Sequence, residues 1–110
     1  MNKNAVDKII CRTPTKGRDG TTTIPTWKYK SVRQAIIESI EQSETGSIAF
    51  KDLAQAVKTK LTPDQLSALG SVGWHVTTVK LNMEVEGEIS RVPDLSPQRL
   101  VKGNVKRAKT

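Results

Sequence analysis

Apolar positions along the chain fall into helical stripes separated by stop signals, with strand-like alternation towards both ends. The clearest stretch runs from Ser71 to Val92. Val72, Val76, Val79 and Met83 recur at i, i+4, i+7 and i+11, one stripe of an α-helix. Ser71 is placed to cap its start, because a serine hydroxyl accepts from a backbone N–H left unpaired in the first turn. Gly87 stands where a left-handed residue ends a helix. Ile89, Ser90, Arg91 and Val92 then alternate apolar and polar, the period of a strand.

Upstream, Asp7 to Arg12 contains Ile9 and Ile10 and predicts a short strand. Asp19-Gly20 is a hairpin-turn pair, and the β-branched run Thr21 to Ile24 suits the return strand. A helix follows with Thr26 as its N-cap and Tyr29, Val32, Ile36 and Ile40 as its buried stripe, flanked by Ala35 and Ile37. Trp27, just ahead, is expected to pack against the domain. Thr45-Gly46-Ser47 breaks this helix, and Ile48 to Phe50 predicts a short strand. Phe50, Leu53, Ala54, Val57 and Leu61 mark a second helix over Phe50 to Lys60. Thr62-Pro63-Asp64-Gln65 is a capping box with proline at the first helical position, so a short helix spans Pro63 to Leu69 and ends at Gly70. Beyond the long helix and the strand Ile89 to Val92, Pro93 to Gln98 reads as a loop. Arg99 to Lys102 reads as a returning strand, and the chain from Gly103 onward as a basic flexible tail.

Placed at about 100° per residue, the long helix is apolar on two sides. Val72, Val76, Val79 and Met83 line one; Trp74, Leu81 and Val85 line nearly the opposite one. Lys80, Thr77 and Glu84 fall on one flank, and His75, Thr78 and Asn82 on the other. A helix apolar on two faces is normally buried on two faces. The expected cover for the second face is the N-terminal hairpin, through Ile9, Ile10 and Ile24. The alternative is a homodimer interface anchored by Trp74, Leu81 and Val85.

At 110 residues the chain suits one small domain, burying roughly two thirds of its unfolded surface. Apolar residues are 35% and aromatics 4%, so the core must be mostly aliphatic. Charge is unevenly spread. Residues 1–33 hold eight Lys or Arg against Asp7 and Asp19, and residues 91–110 hold six against Asp94. Residues 34–90 hold four against eight acids. Basic ends favour polyanions. Lys28, Lys30 and Arg33 crowd the first turns of their helix while Glu38, Glu41 and Glu44 sit near its end, both against the helix dipole. Lys16-Gly17-Arg18 at the hairpin tip has charge for phosphates but not the glycine spacing of a P-loop.

Catalytic chemistry finds few residues. Cys11 is the single cysteine and His75 the single histidine, so neither an intrachain disulfide nor a Cys/His zinc cluster can be built from one chain. Cys11 reads as a buried strand residue, and Glu84, Glu86 and Glu88 as a solvated acidic turn. No catalytic constellation, metal site or cofactor motif is expected. One cysteine, a polar N-terminus and no long apolar run point to a cytoplasmic protein without a membrane partner.

The order helix, strand, helix, helix and two-stranded wing over Trp27 to Lys102 resembles a winged-helix domain, with Leu53, Val79, Met83, Gly87, Ile89 and Val92 at its usual apolar and glycine positions. Through Tyr29, Trp74, Val79, Leu81 and Gly87 it also resembles a small bacterial family of winged-helix proteins that carry an N-terminal hairpin and have no assigned activity. The resemblance implies an α+β fold: a hairpin arm over residues 1–26, a winged helix-turn-helix over 27–102 and a basic tail over 103–110. DNA-reading members lay the third helix in the major groove. Here that helix has Lys80 as its one base and an acidic end, so contact with double-stranded DNA would fall on Lys16, Arg18, Lys80, Arg91, Arg99, Lys102, Lys106 and Arg107. These neutralise phosphates and carry little base readout. The expected function is thus non-enzymatic nucleic-acid binding, with transcription as its setting. The alternative is a protein-interaction or self-associating module.

Overall fold

Turn and cap residues define most element boundaries in the computed structural model, which describes residues 8–12, 21–92 and 98–103. The architecture is α+β. Strands β1 (Lys8–Arg12) and β2 (Thr21–Pro25) form an antiparallel N-terminal hairpin in which Ile9 pairs with Ile24 and Arg12 with Thr21. Helix α1 (Thr26–Glu41) follows directly, then β3 (Ser47–Ala49), α2 (Phe50–Lys60), α3 (Pro63–Leu69) and α4 (Val72–Glu86). Strands β4 (Ile89–Arg91) and β5 (Arg99–Lys102) complete a three-stranded antiparallel sheet of order β3-β5-β4. The last strand therefore lies in the middle, with Leu100 opposite both Ile48 and Arg91. The turn at Asp19-Gly20, the loop 93–97 and the tail beyond Gly103 lie outside the described residues.

Local chemistry accounts for the helix ends. Thr62 accepts from the Gln65 amide, and the Gln65 side chain accepts from the Thr62 amide, a complete capping box with Pro63 next in line. The Ser71 hydroxyl accepts from the Trp74 amide at 3.1 Å. Gly87 closes α4 with φ of 81°, a left-handed conformation that costs a residue with a Cβ about 1 kcal/mol or more. One expectation fails here. Thr26 is the first residue of α1 rather than its cap; Pro25 holds the cap position, and no side chain bonds to the helix start. Proline has φ of −57°, already compatible with helix entry, so the strand runs into the helix without a capping turn.

A single aliphatic core joins hairpin, helices and sheet. Val32, Ile36 and Ile40 of α1, Leu53 and Val57 of α2, Val76, Val79 and Met83 of α4, and Ile89 and Leu100 of the sheet are buried together with Cys11 and Ile24 of the hairpin. Trp27 does not join them. It is exposed, with the Lys28 ammonium 5.8 Å from its ring centre. Lys28 also donates to the Leu69 carbonyl at 3.3 Å, near the end of α3. This tertiary acceptor gives a reason for a base in the first turn of α1.

Gly103 is no free tail residue. Its amide donates to the Glu88 carbonyl at 2.7 Å, and a Cβ at this position would overlap the Gly87 carbonyl. The central strand thus leaves the sheet by resting on the cap of α4. Gly103→Ala should lower stability by about 1–3 kcal/mol. Gly73, inside α4 with open space around its Cβ position, should respond oppositely, Gly73→Ala raising stability by up to about 1 kcal/mol. Urea midpoints of the two variants moving in the same direction would contradict this packing.

Candidate functional site

Helix α4 is packed by α1, α2, α3, β1 and β4, and its polar residues settle which sides are covered. Asn82 is buried at 4% exposure. A buried amide needs both a donor and an acceptor nearby. Its Nδ2 donates to the Tyr29 hydroxyl at 2.8 Å, and its Oδ1 accepts from the Arg12 amide at 2.9 Å. One side chain therefore joins α4 to α1 and to the edge of the hairpin. On the same flank His75 is buried, and its Nδ1 lies 2.7 Å from the Ser71 carbonyl. A carbonyl can only accept, so this nitrogen carries the proton.

The other flank buries Lys80, at 3% exposure. Its ammonium lies 2.6 Å from Glu84 Oε2 and 4.7 Å from the centre of the Phe50 ring. A charge this far inside must be paired, and the carboxylate and the ring face together replace its water. Arg91 of β4 reaches the other Glu84 oxygen at 2.9 Å. Glu86 pairs with Arg12 of the hairpin. Glu88 accepts a forked contact from Arg33 of α1, with distances of 2.8 to 3.1 Å. The acidic end of α4 is not a solvated turn. Each carboxylate is met by an arginine from a different element, which offsets acids at the negative end of a helix dipole. Arg33, midway along α1, serves this long-range pair, and its pKa is raised by the hydrogen bond to Glu88.

Of the residues read from sequence as polyanion contacts, Lys80 lies on α4, Arg91 on β4, and Arg99 and Lys102 on the adjacent β5. Lys16, Arg18, Lys106 and Arg107 lie outside the described residues. Lys80 is withdrawn from solvent, which corrects its reading as a phosphate contact. Arg91 is half-exposed but engaged by Glu84. Arg99 donates to the hydroxyl and carbonyl of Ser47. Lys102 pairs with Glu41 at 2.8 Å, giving that acid a partner in the sheet.

The second apolar face of α4 is uncovered. Trp74 is 47% exposed and Val85 37%, with Leu81 half-buried between them. The hairpin instead covers the Asn82 flank; Cys11 and Ile24 point into the core, whereas Ile10 is 64% exposed. Burial of the Trp74 face by the hairpin is therefore corrected. The inward side of the two short strands fills the core through Cys11 and Ile24, and Ile10 on the other side faces solvent. Thr77 is exposed at the edge of this face and Thr78 is partly so. Between Gly73 and Val85 the face carries no ionisable side chain apart from Glu84 at its margin.

Among the described residues no group of three His, Cys, Asp or Glu could hold a metal ion. Also among them, no helix is long and apolar enough to cross a membrane. An open groove of about 330 Å³ between α1 and the α2–α3 junction is lined by Lys30, Lys60 and Glu38 together with Gln34 and Gln65. Burial raises the Cys11 thiol above its ordinary value of 9.0 and the Tyr29 phenol above 10.0.

Two outcomes follow from the buried groups. Asn82→Ala orphans the Arg12 amide and should cost about 1–3 kcal/mol, with faster amide exchange at Arg12; unchanged exchange would show that the hairpin is held otherwise. In alkali the unfolded chain loses the Cys11 and Tyr29 protons first, so it binds fewer protons than the folded chain. Stability therefore falls as pH rises past about 9 and then about 10, until the folded groups ionise. Tyr29→Phe should flatten the upper part of that fall in urea midpoints, and an unaltered slope would contradict burial of the phenol.

Comparison with known proteins adds one finding. Neither the curated proteins nor the solved structures yield a match. Residues 8–100, from the first strand of the hairpin to the central strand of the sheet, match a described family. The chain belongs to that family, the Family of unknown function (DUF6958).

Proposed function

We propose that this chain is a non-enzymatic winged-helix protein that works as a protein-interaction module, with the outward face of α4 as its contact surface. The element order α1, β3, α2, α3, α4, β4, β5 with β5 between its neighbours supports the winged-helix reading, as does a helix passing through a left-handed glycine into the first wing strand. One observation carries the function: the helix that would read DNA turns its only base inward and shows solvent Trp74, Leu81 and Val85. Exposed apolar side chains grouped on one face mark contact surfaces for proteins, and tryptophan is among the strongest anchors of such surfaces.

A second reading is favoured by the basic ends of the sequence. In it, hairpin tip, wing and tail hold a polyanion electrostatically, without base readout by α4. The two readings share one expectation about α4. In fluorescence anisotropy with a mixed-sequence duplex, Trp74→Ala and Leu81→Ala should leave any DNA affinity within about twofold of the parent chain. The polyanion reading further expects a log–log salt slope of roughly −5 for six phosphates neutralised. Sequence-selective binding lost with either α4 variant, its fold intact by circular dichroism, would set the helix in the groove and overturn the proposal.

A further inference from the structure

Trp74, Thr78, Leu81 and Val85 are separated by four, three and four residues. That alternation is the seam of a two-helix coiled coil. Val72, Val76, Val79 and Met83 on the opposite side of α4 repeat the same spacing and are taken up by the chain's own core. The helix therefore carries two seams, and only the inner one is covered among the described residues.

We infer that the outer seam receives a second copy of this chain, with the two α4 helices antiparallel across a two-fold axis. The inference rests on reading this face as a protein-binding surface. Charge argues for self-pairing. A two-fold contact sets a patch against itself, so a charged patch would meet its like. This chain has a net charge of +7, yet the outer seam has no ionisable group. The nearest charges are paired at its margin, with Glu84 held between the buried Lys80 and Arg91. A partner recognised by opposite charge would find nothing here to recognise.

Shape chooses the direction. With the axis passing between Val79 and Lys80, antiparallel helices set Trp74 against Val85 of the partner subunit and Thr78 against Leu81 of the partner subunit. Every layer then pairs a large side chain with a smaller one. Parallel helices would instead set Trp74 against its own copy and Thr78 against its own copy. Opposed helix dipoles also attract when antiparallel. The seam spans about 17 Å, short beside an ordinary interface, so the dimer is reversible and dissociates on dilution.

Analytical ultracentrifugation of the full chain from about 1 µM to about 500 µM tests this. The expected result is a mass rising from 12.1 kDa towards twice that value. Trp74→Glu and Val85→Lys should each weaken the dimer by ~30-fold or more, with thermal midpoints unchanged because both side chains face solvent. Mixing the two variants should restore association, since glutamate at 74 then faces lysine at 85. A parent chain that stays monomeric throughout overturns the second copy. A dimer indifferent to both variants does the same, and variants that each lose the dimer but do not recover on mixing overturn the antiparallel arrangement. A monomer whose α4 variants leave DNA affinity alone refutes only this inference; a monomer that loses sequence-selective DNA binding on mutation of α4 refutes the interaction module as well.

Discussion

The buried amide of Asn82 can be satisfied only if a hydroxyl lies on one side of it and a backbone N–H on the other. Tyr29 supplies the first and Arg12 the second. An unmade hydrogen bond at such a site costs about 1–3 kcal/mol, a large share of the stability of a small domain. The position of the hairpin against α4 and α1 depends on that requirement. Once it is met, Cys11 and Ile24 fall into the core, and the Arg12 guanidinium comes within reach of Glu86.

The same logic on the opposite flank draws Lys80 inward against Glu84 and Phe50. Both flanks of α4 are thus committed to holding the domain together, and its acidic end is tied to the hairpin, to α1 and to β4 by three arginines. What remains for solvent is a strip of uncharged residues centred on Leu81. A helix used in this way is poorly suited to phosphates and well suited to an apolar surface. The functional proposal is a consequence of how the interior polar groups are satisfied rather than of net charge.

Much of the framework was legible in the chain because its signals are local. The Thr62-Pro63-Asp64-Gln65 box, the Ser71 cap, the Gly87 stop and the aliphatic stripes act within one or two helical turns, and each appears at its expected place. Lys80 and Glu84 are one helical turn apart, but the arginine partners of Glu86 and Glu88 are not local. Arg12 meets Glu86 and Arg33 meets Glu88 across 74 and 55 residues, and no periodicity encodes them. Their trace is indirect: acids at the end of α4, wrong for the helix dipole, signal partners elsewhere. Hydropathy alone also assigned the hairpin to the wrong side of α4. It weighed the apolar side chains of Trp74 and Leu81 and gave no weight to the hairpin's backbone edge, which needs a polar partner and finds it in Asn82.

Burial of Lys80 is the observation on which the reading of α4 turns, and lysine acylation of the native chain followed by peptide mass spectrometry tests it most directly. Lys30, Lys51 and Lys58 are exposed, whereas Lys80 is almost completely covered. These three are expected to react readily, whereas Lys80 is modified only after unfolding. Labelling of Lys80 in the folded chain at the rate of Lys51 and Lys58 would return a free cation to α4 and contradict that expectation.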